Sequence, residues 1–381
     1  MTSYSRATDT SASSVGFARA GEFVIGAGVI ADAGSPTCQV SALSAERATD
    51  WDAYVEGRVD STLFHTSAWR DAVTTAFDHE AVYLTATRED RPVGVLPLFF
   101  VRSRIAGRLL VSVPYGVGGG ILADDAEAAE ALFEEAKRLA TQRRCIGIDL
   151  RSERALLPDV PVIDRYVGFE RELPSDPANV LAWLPRKARA AARNGREKYG
   201  LQVRFGDEHL RRVWELYSIS MRRLASLTYP FSFFNRLIEG TPGRHWVSLV
   251  TWNGRPVAGL VTLLFRDRVM PYFIGTTDEA KRCSAANFAY LTVMERAVEQ
   301  GYGVFDFGRS RRDNAGSYDF KRFHGFTPRR LGYQYYAMPG HEAPDLSPTN
   351  PRFQLARRLW KHLPLSVTRR AGAYLAKHIP G

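Results

Sequence analysis

At 381 residues with 45% apolar side chains, the chain can fill two domains of ordinary size, and a disordered polypeptide is excluded. Its 51 Lys and Arg against 41 Asp and Glu leave a net charge of +10, concentrated in residues 186–223 and again beyond 346. Such an excess suits an anionic partner or a solvated basic face. Cys38, Cys145 and Cys283 stand far apart, with no C-x-x-C pair and no histidine at ligand spacing, which argues for a reducing compartment and against a structural zinc.

In chain order, residues 1–20 are rich in Ser, Thr and Ala and read as a mobile extension. Gly26, Gly28 and Ala31 match a dinucleotide-binding spacing, but Gly34, Ser35 and Pro36 break the helix that should follow, so no such cofactor is expected. No stretch approaches the ~18 apolar residues of a membrane span, and no export signal is expected, since no basic stretch leads directly into an apolar one. The expected location is cytoplasmic.

Helices are expected between Ser44 and Ala76, the second opening near Ser67, followed by the hairpin AVYLTATR and PVGVLPLFFVRS, a helix over 124–142 and the strand CIGIDLRS. The order then repeats. RPVAGLVTLL at 255–264 lies over RPVGVLPLFF at 91–100, and GVFDFGRS repeats CIGIDLRS, with Asp306 falling on Asp149. Recurrence of helix, hairpin, strand, helix and strand indicates internal duplication. The expected division is an extension over 1–40, a first module over 41–175, a second over 176–340 and a basic tail over 341–381.

Between the copies, Arg186, Arg189, Arg193 and Arg196 recur at helical spacing, either as one guanidinium face for an anion or as an ordinary solvated helix. In HLRRVWELYSISMRRLA, Leu210, Val213, Trp214, Tyr217 and Met221 read as core. The tail carries no acid beyond 346. Phe353, Ala356, Trp360 and Leu363 form an apolar stripe among Arg352, Arg357, Arg358 and Lys361, which suits a membrane surface, a docked cap or a partner.

The stretch 301–328, GYGVFDFGRSRRDNAGSYDFKRFHGFTP, reads as a buried strand, a polar turn and a second element carrying Lys321. A carboxylate inside an apolar strand needs a partner or a role, which singles out Asp306. Its bland reading is a pairing with Arg309, Arg311 or Lys321. Gly116, Gly118, Gly119 and Gly120 lack a following G-K-[ST], so they let backbone approach an interface or ligand and are not a Walker loop.

FDFGRS with GSYDFKRFHGF, the helix start CSAANFAYLTVMERA, FHTSAWR, the VGVLPL hairpin and VPYGVGGGILADD together resemble the FemAB/FemX family, most closely its branch associated with exosortase (PEP-CTERM) and exopolysaccharide clusters. The resemblance implies an α/β (α+β) fold of two tandem GNAT-like modules, with mixed, mostly antiparallel sheets flanked by helices. It implies an N-acyltransferase acting on an amine of a cell-envelope or exopolysaccharide precursor, with no tightly bound cofactor and an aminoacyl-tRNA or acyl-CoA as co-substrate.

By position in the family's Y-x-F-K-x-x-x-G motif, Lys321 would stabilise charge on the reacting carbonyl, and Lys321→Ala would fold normally while losing most turnover; Asp306, as a carboxylate at a strand end, would orient or deprotonate the amine. Arg309, Ser310, Tyr318 and Phe320 would line the substrate. Ser284 and Asn287 open the helix at which GNAT enzymes bind pyrophosphate, but the usual glycine loop is absent. His65, Trp69 and Arg70 stand where peptidoglycan members hold acceptor phosphates. Their lysine is missing, with Val73 and Thr74 in its place. The competing class is a non-catalytic module that binds envelope precursors or docks on a membrane. Exposure of Lys321 and Asp306 in an open cleft would favour the enzyme, and a filled cleft would favour the binding protein.

Overall fold

The computed structural model describes residues 38–44, 47–345 and 350–380, so the glycine pattern at 26–31 lies outside the described residues. Among the described residues, fourteen strands form two seven-stranded sheets. The first contains β1 (Gln39–Ala42), β2 (Glu80–Arg88), β3 (Arg91–Ser103), β4 (Gly107–Val111), β5 (Leu122–Ala123) and β6 (Gly147–Ser152). The second contains β7 (Tyr166–Glu172), β8 (Gln202–Phe205), β9 (His245–Trp252), β10 (Arg255–Phe265), β11 (Arg268–Thr276), β12 (Val304–Arg311) and β13 (Pro328–Arg330), while β14 (Gly332–Ala337) returns to the first.

The sheet orders, β1-β2-β3-β4-β6-β14 and β8-β9-β10-β11-β12-β7, match position for position, each with a parallel pair, β4/β6 or β11/β12, next to an antiparallel last strand. This is the expected duplication with one difference. The last strands are exchanged: β7 follows the first copy but completes the second sheet, and β14 follows the second copy but completes the first. Sheet membership therefore crosses the linear division at 175/176.

Helices α1 (Ala48–Gly57), α2 (Ser67–Phe77) and α3 (Ala126–Gln142) accompany the first sheet. Short α4 (Val180–Trp183) and α5 (Arg186–Arg193) lead into α6 (Leu210–Arg223), α7 (Phe231–Gly240), α8 (Ala285–Glu299) and α9 (Ala315–Phe323). The tail forms α10 (Pro351–Trp360) and α11 (Leu365–Ala376), separated at Pro364. Among the described residues no helix is long and apolar enough to cross a membrane.

Both central strands are covered on two faces, which explains their nearly continuous apolar runs. Along β3, Val95 and Phe99 face Trp51, Val55 and Trp69, whereas Leu96, Leu98 and Phe100 face α3 through Leu132 and Phe133. Along β10, Val261 and Leu263 join Val213, Phe233 and Phe234, and Leu260 and Leu264 meet Leu291 and Met294 of α8. Trp51, Trp69, Phe233 and Phe273 belong to one cluster, so α1, α2, α6 and α7 fill a core shared by both sheets.

Close approach at one glycine sets that layer. A Cβ on Gly275 of β11 would stand 2.0 Å from the backbone nitrogen of Tyr217 in α6. Gly275→Ala is expected to lower the unfolding free energy by about 1–3 kcal/mol, read by denaturant titration, because backbone and not a flexible side chain has to move.

Of the arginines between the copies, Arg189 donates to the carbonyls of Ala182 and Leu184 at 2.6 and 3.0 Å, and Arg196 pairs with Glu295. They do not form one free anion-binding face. After Arg193 the helix widens into a π-turn over Asn194–Lys198, which rotates Arg196 away from the α5 stripe.

Candidate active site

Strands β11 and β12 pair with each other only at Arg268 with Val304 and at Val269 with Phe305, and beyond that point they run on without pairing to one another. From there β12 is held by β7 alone, with a break in register between Asp306 and Arg309. Gly308 sits in that bulge at φ +64, a conformation that favours glycine.

Two side chains stitch the bulge. The Asp306 carboxylate accepts from the Gly308 N–H at 2.7 Å, and Lys321 Nζ donates to the carbonyls of Gly308 at 3.2 Å and Arg309 at 2.8 Å. Lys321 is placed there by α9, whose first turn is capped by the Asn314 side chain and tied to β12 by a Ser310–Ser317 hydroxyl contact of 2.8 Å. Tyr318 meets Phe169 edge-on at 5.3 Å, and Phe320 packs near Tyr290 at 5.5 Å and His324 at 4.4 Å. These rings seat the helix.

Lys321 and Asp306 are only 7% and 4% exposed. An open cleft with both exposed is therefore not what the fold provides, because α9 closes over the bulge. Burial raises the Asp306 carboxyl to about 6, opposed by the Gly308 hydrogen bond. Burial also lowers the Lys321 ammonium to about 7, with Asp306 opposing and Arg309 adding to the shift.

Both shifts feed into stability. Between pH 3.8 and about 6 the folded state holds the Asp306 proton more tightly than the unfolded chain, so this contribution falls as pH rises. Between about 7 and 10.5 the unfolded chain holds the Lys321 proton more tightly, so its contribution rises with pH. The pair is expected to add a shallow stability minimum at about pH 6–7. Tm against pH should show it in the parent and lose its acid limb in Asp306→Asn.

Beside the bulge lies a cluster of guanidinium and phenol groups drawn from both sheets. Arg309 lies over the Tyr166 ring at 4.5 Å and near Tyr333, whose hydroxyl accepts from it at 3.4 Å. Among the described residues no carboxylate pairs with it within ion-pair distance. Arg151 enters from the other side, bound to Asp149 at 2.9 Å and to the carbonyls of Val113 and Pro380 at 3.3 and 3.0 Å. Burial alone would raise the Tyr166 phenol, but Arg309, Arg151 and Arg311 outweigh it and hold it below its usual range. Tyr166 comes from β7 and Tyr333 from β14, so the strand exchange assembles this wall.

The structure thus brings Asp306, Arg309, Ser310 and Lys321 together. It does not bring Trp69 to them as an accessible contact. That ring is 0% exposed in the shared core, between Phe64 and Phe233, so its candidacy as a substrate contact is corrected to packing. Arg70 pairs with the neighbouring Asp71 at 2.9 Å. Ser284 has a left-handed backbone and makes no capping bond, and Asn287 Oδ1 is buried without a partner, neither bonded to the bulge. Tyr318 and Phe320 are half-buried packing residues. In the glycine loop, a Cβ on Gly120 would meet Ser152 Oγ at 1.9 Å, so this loop lies on β6.

Arg151, Tyr166 and Tyr333 were not singled out in the sequence, although a signal was present. The first copy reads Asp149-Leu-Arg151 and the second Asp306-Phe-Gly308, so the second aspartate lacks the arginine that neutralises the first. Its nearest cation is Arg268 at 3.8 Å. Cavities of about 570 Å³, beside Arg196 and Phe288, and about 460 Å³, beside His79 and His378, both lie away from the bulge.

No curated protein matches the sequence. Residues 184–322 match the family described as Acetyltransferase (GNAT) domain, a span that includes the bulge and Lys321. Among solved structures, a crystal structure of FemX is similar at 16% identity and a TM-score of 0.61, covering 84% of this chain and 100% of that one. A tandem GNAT protein from the clavulanic acid biosynthesis pathway is similar at 12% identity and a TM-score of 0.51, covering 79% and 98%. Residues 184–322 are accordingly similar to the GNAT acetyltransferase domain family, within a chain whose tandem fold is similar to that of FemX.

Proposed function

We propose that the protein is an N-acyltransferase that moves an acyl or aminoacyl group onto an amine of a cell-envelope or exopolysaccharide precursor, in the manner of the exosortase-associated FemAB branch. The observation that carries the reading is the bulge at 306–309, where a carboxylate and an ammonium with pKa values of about 6 and 7 adjoin a guanidinium with no acid partner. The acceptor nitrogen attacks the donor carbonyl carbon and its proton passes to Asp306, whose raised pKa suits a base near neutrality. The C–O bond of an aminoacyl-tRNA or the C–S bond of an acyl-CoA then breaks, and the leaving group takes a proton.

Lys321 has three N–H bonds and spends two on carbonyls. The third is available to the oxyanion. Arg309 receives an anionic group of the donor or acceptor. The protein works in the cytoplasm, peripherally on the inner face of the membrane. Incubating it with charged tRNAs and acyl-CoA thioesters, and measuring which donor is consumed, tests the reading. Consumption of none would sink it.

Burial of Lys321 and Asp306 favours a second reading, a non-catalytic module that binds the same precursors. Precursor binding with no donor turned over would support it.

A further inference from the structure

The tail helix α10 is held by one side only. Trp360 Nε1 donates to the Ser226 carbonyl at 3.1 Å, and Arg357 donates to the carbonyls of Ala225 and Leu224 at 3.2 and 3.3 Å. Phe353 and Trp360 are half-buried, and none of the helix's residues is fully buried. Of the stripe expected from sequence at Phe353, Ala356, Trp360 and Leu363, all but the exposed Ala356 lie on the docked side. The outward side is also apolar: Leu355 is 68% and Leu359 58% exposed, one turn apart.

The charged residues of α10 itself are all basic, and the one acid seen at its start, Asp345, accepts from the capping Asn350 at 3.2 Å. Arg352, Arg358 and Lys361 are exposed on the same helix and the turn after it, and no acid occurs beyond residue 346. Arg222 at the end of α6 reaches the Leu363 carbonyl at 3.5 Å, so the two basic regions of the sequence meet here. RNA would satisfy the arginines and lysine but gain nothing from paired leucines standing in water. A bilayer with anionic headgroups satisfies both, the cations at headgroup level and the leucines at the acyl boundary.

We infer that the outer face of α10, through Leu355 and Leu359 ringed by Arg352, Arg358 and Lys361, is a docking surface for an anionic phospholipid bilayer. This rests on the proposed peripheral placement and is independent of the transfer chemistry. The full chain is expected to sediment with vesicles of phosphatidylglycerol mixed into phosphatidylcholine, and not with phosphatidylcholine alone. Release should follow added salt. The variant L355D/L359D, with Tm unchanged because both side chains are exposed, should lose about tenfold or more in vesicle affinity.

Failure of the parent to bind anionic vesicles, or equal binding by parent and L355D/L359D, would overturn the inference. So would tight binding of bulk tRNA abolished by L355D/L359D, which would assign the face to RNA. Donor consumption measured without vesicles reports on the transfer reading separately, because these leucines lie outside the bulge.

Discussion

Lys321→Met is expected to lower turnover about 100-fold or more while substrate affinity changes little, because the contact it removes is made to charge that develops only during the reaction. Stability should fall as well, by about 1–3 kcal/mol, since the Gly308 and Arg309 carbonyls lose their buried donor. Relief from burying an ammonium offsets part of that loss. This amends the expectation that Lys321→Ala folds normally, because the side chain is buried and hydrogen-bonded to the bulge. Steady-state kinetics at a temperature below the variant's Tm separates the two effects. A variant that is destabilised but turns over within about threefold of the parent would make Lys321 a clamp of the bulge and nothing more.

Arg309→Met is expected to behave in the opposite sense on stability. A half-buried guanidinium facing phenols, with no carboxylate partner among the described residues, is costly to keep, so its removal should leave Tm unchanged or raised. Binding of the anionic substrate should weaken, with KM raised about tenfold or more and kcat less affected. Stability exchanged for function in this way marks a binding residue. Arg309→Lys should rescue little, because an ammonium neither stacks on the Tyr166 ring nor forks onto an anion. A fall in Tm with unchanged KM would instead make Arg309 a strut between β7, β12 and β14.

Much of the fold was legible because duplication is written in apolar periodicity. RPVGVLPLFF and RPVAGLVTLL became β3 and β10 at equivalent places in their sheets, and Asp149 and Asp306 fell at equivalent places on β6 and β12. The exchange of β7 and β14 was not legible. Strand patterns fix which face is buried, and pairing partners are decided by which edge lies within reach. For the same reason Tyr166 and Tyr333, far apart in the chain, gave no hint that they would share one wall with Arg309.

At the site, residue types were easier to read than their surroundings. Lys321, Asp306, Arg309 and Ser310 do converge, but the first two are buried and hydrogen-bonded to the bulge, a state that depends on α9 folding across it. Trp69 was misread for a comparable reason. A tryptophan at a helix start carries no mark of which side will be covered, and α7 covers it through Phe233.

The most direct test of acyl transfer follows the acyl group itself. A donor labelled in its acyl group, once identified from the tRNA and thioester panel, is incubated with the protein and amino-sugar-bearing envelope precursors, and the product is analysed by mass spectrometry. The account predicts label on the precursor in an amide bond stable to hydroxylamine, and none with Lys321→Met. Label recovered only in intact donor or free acid, or transfer by Lys321→Met at the parent's rate, would contradict it.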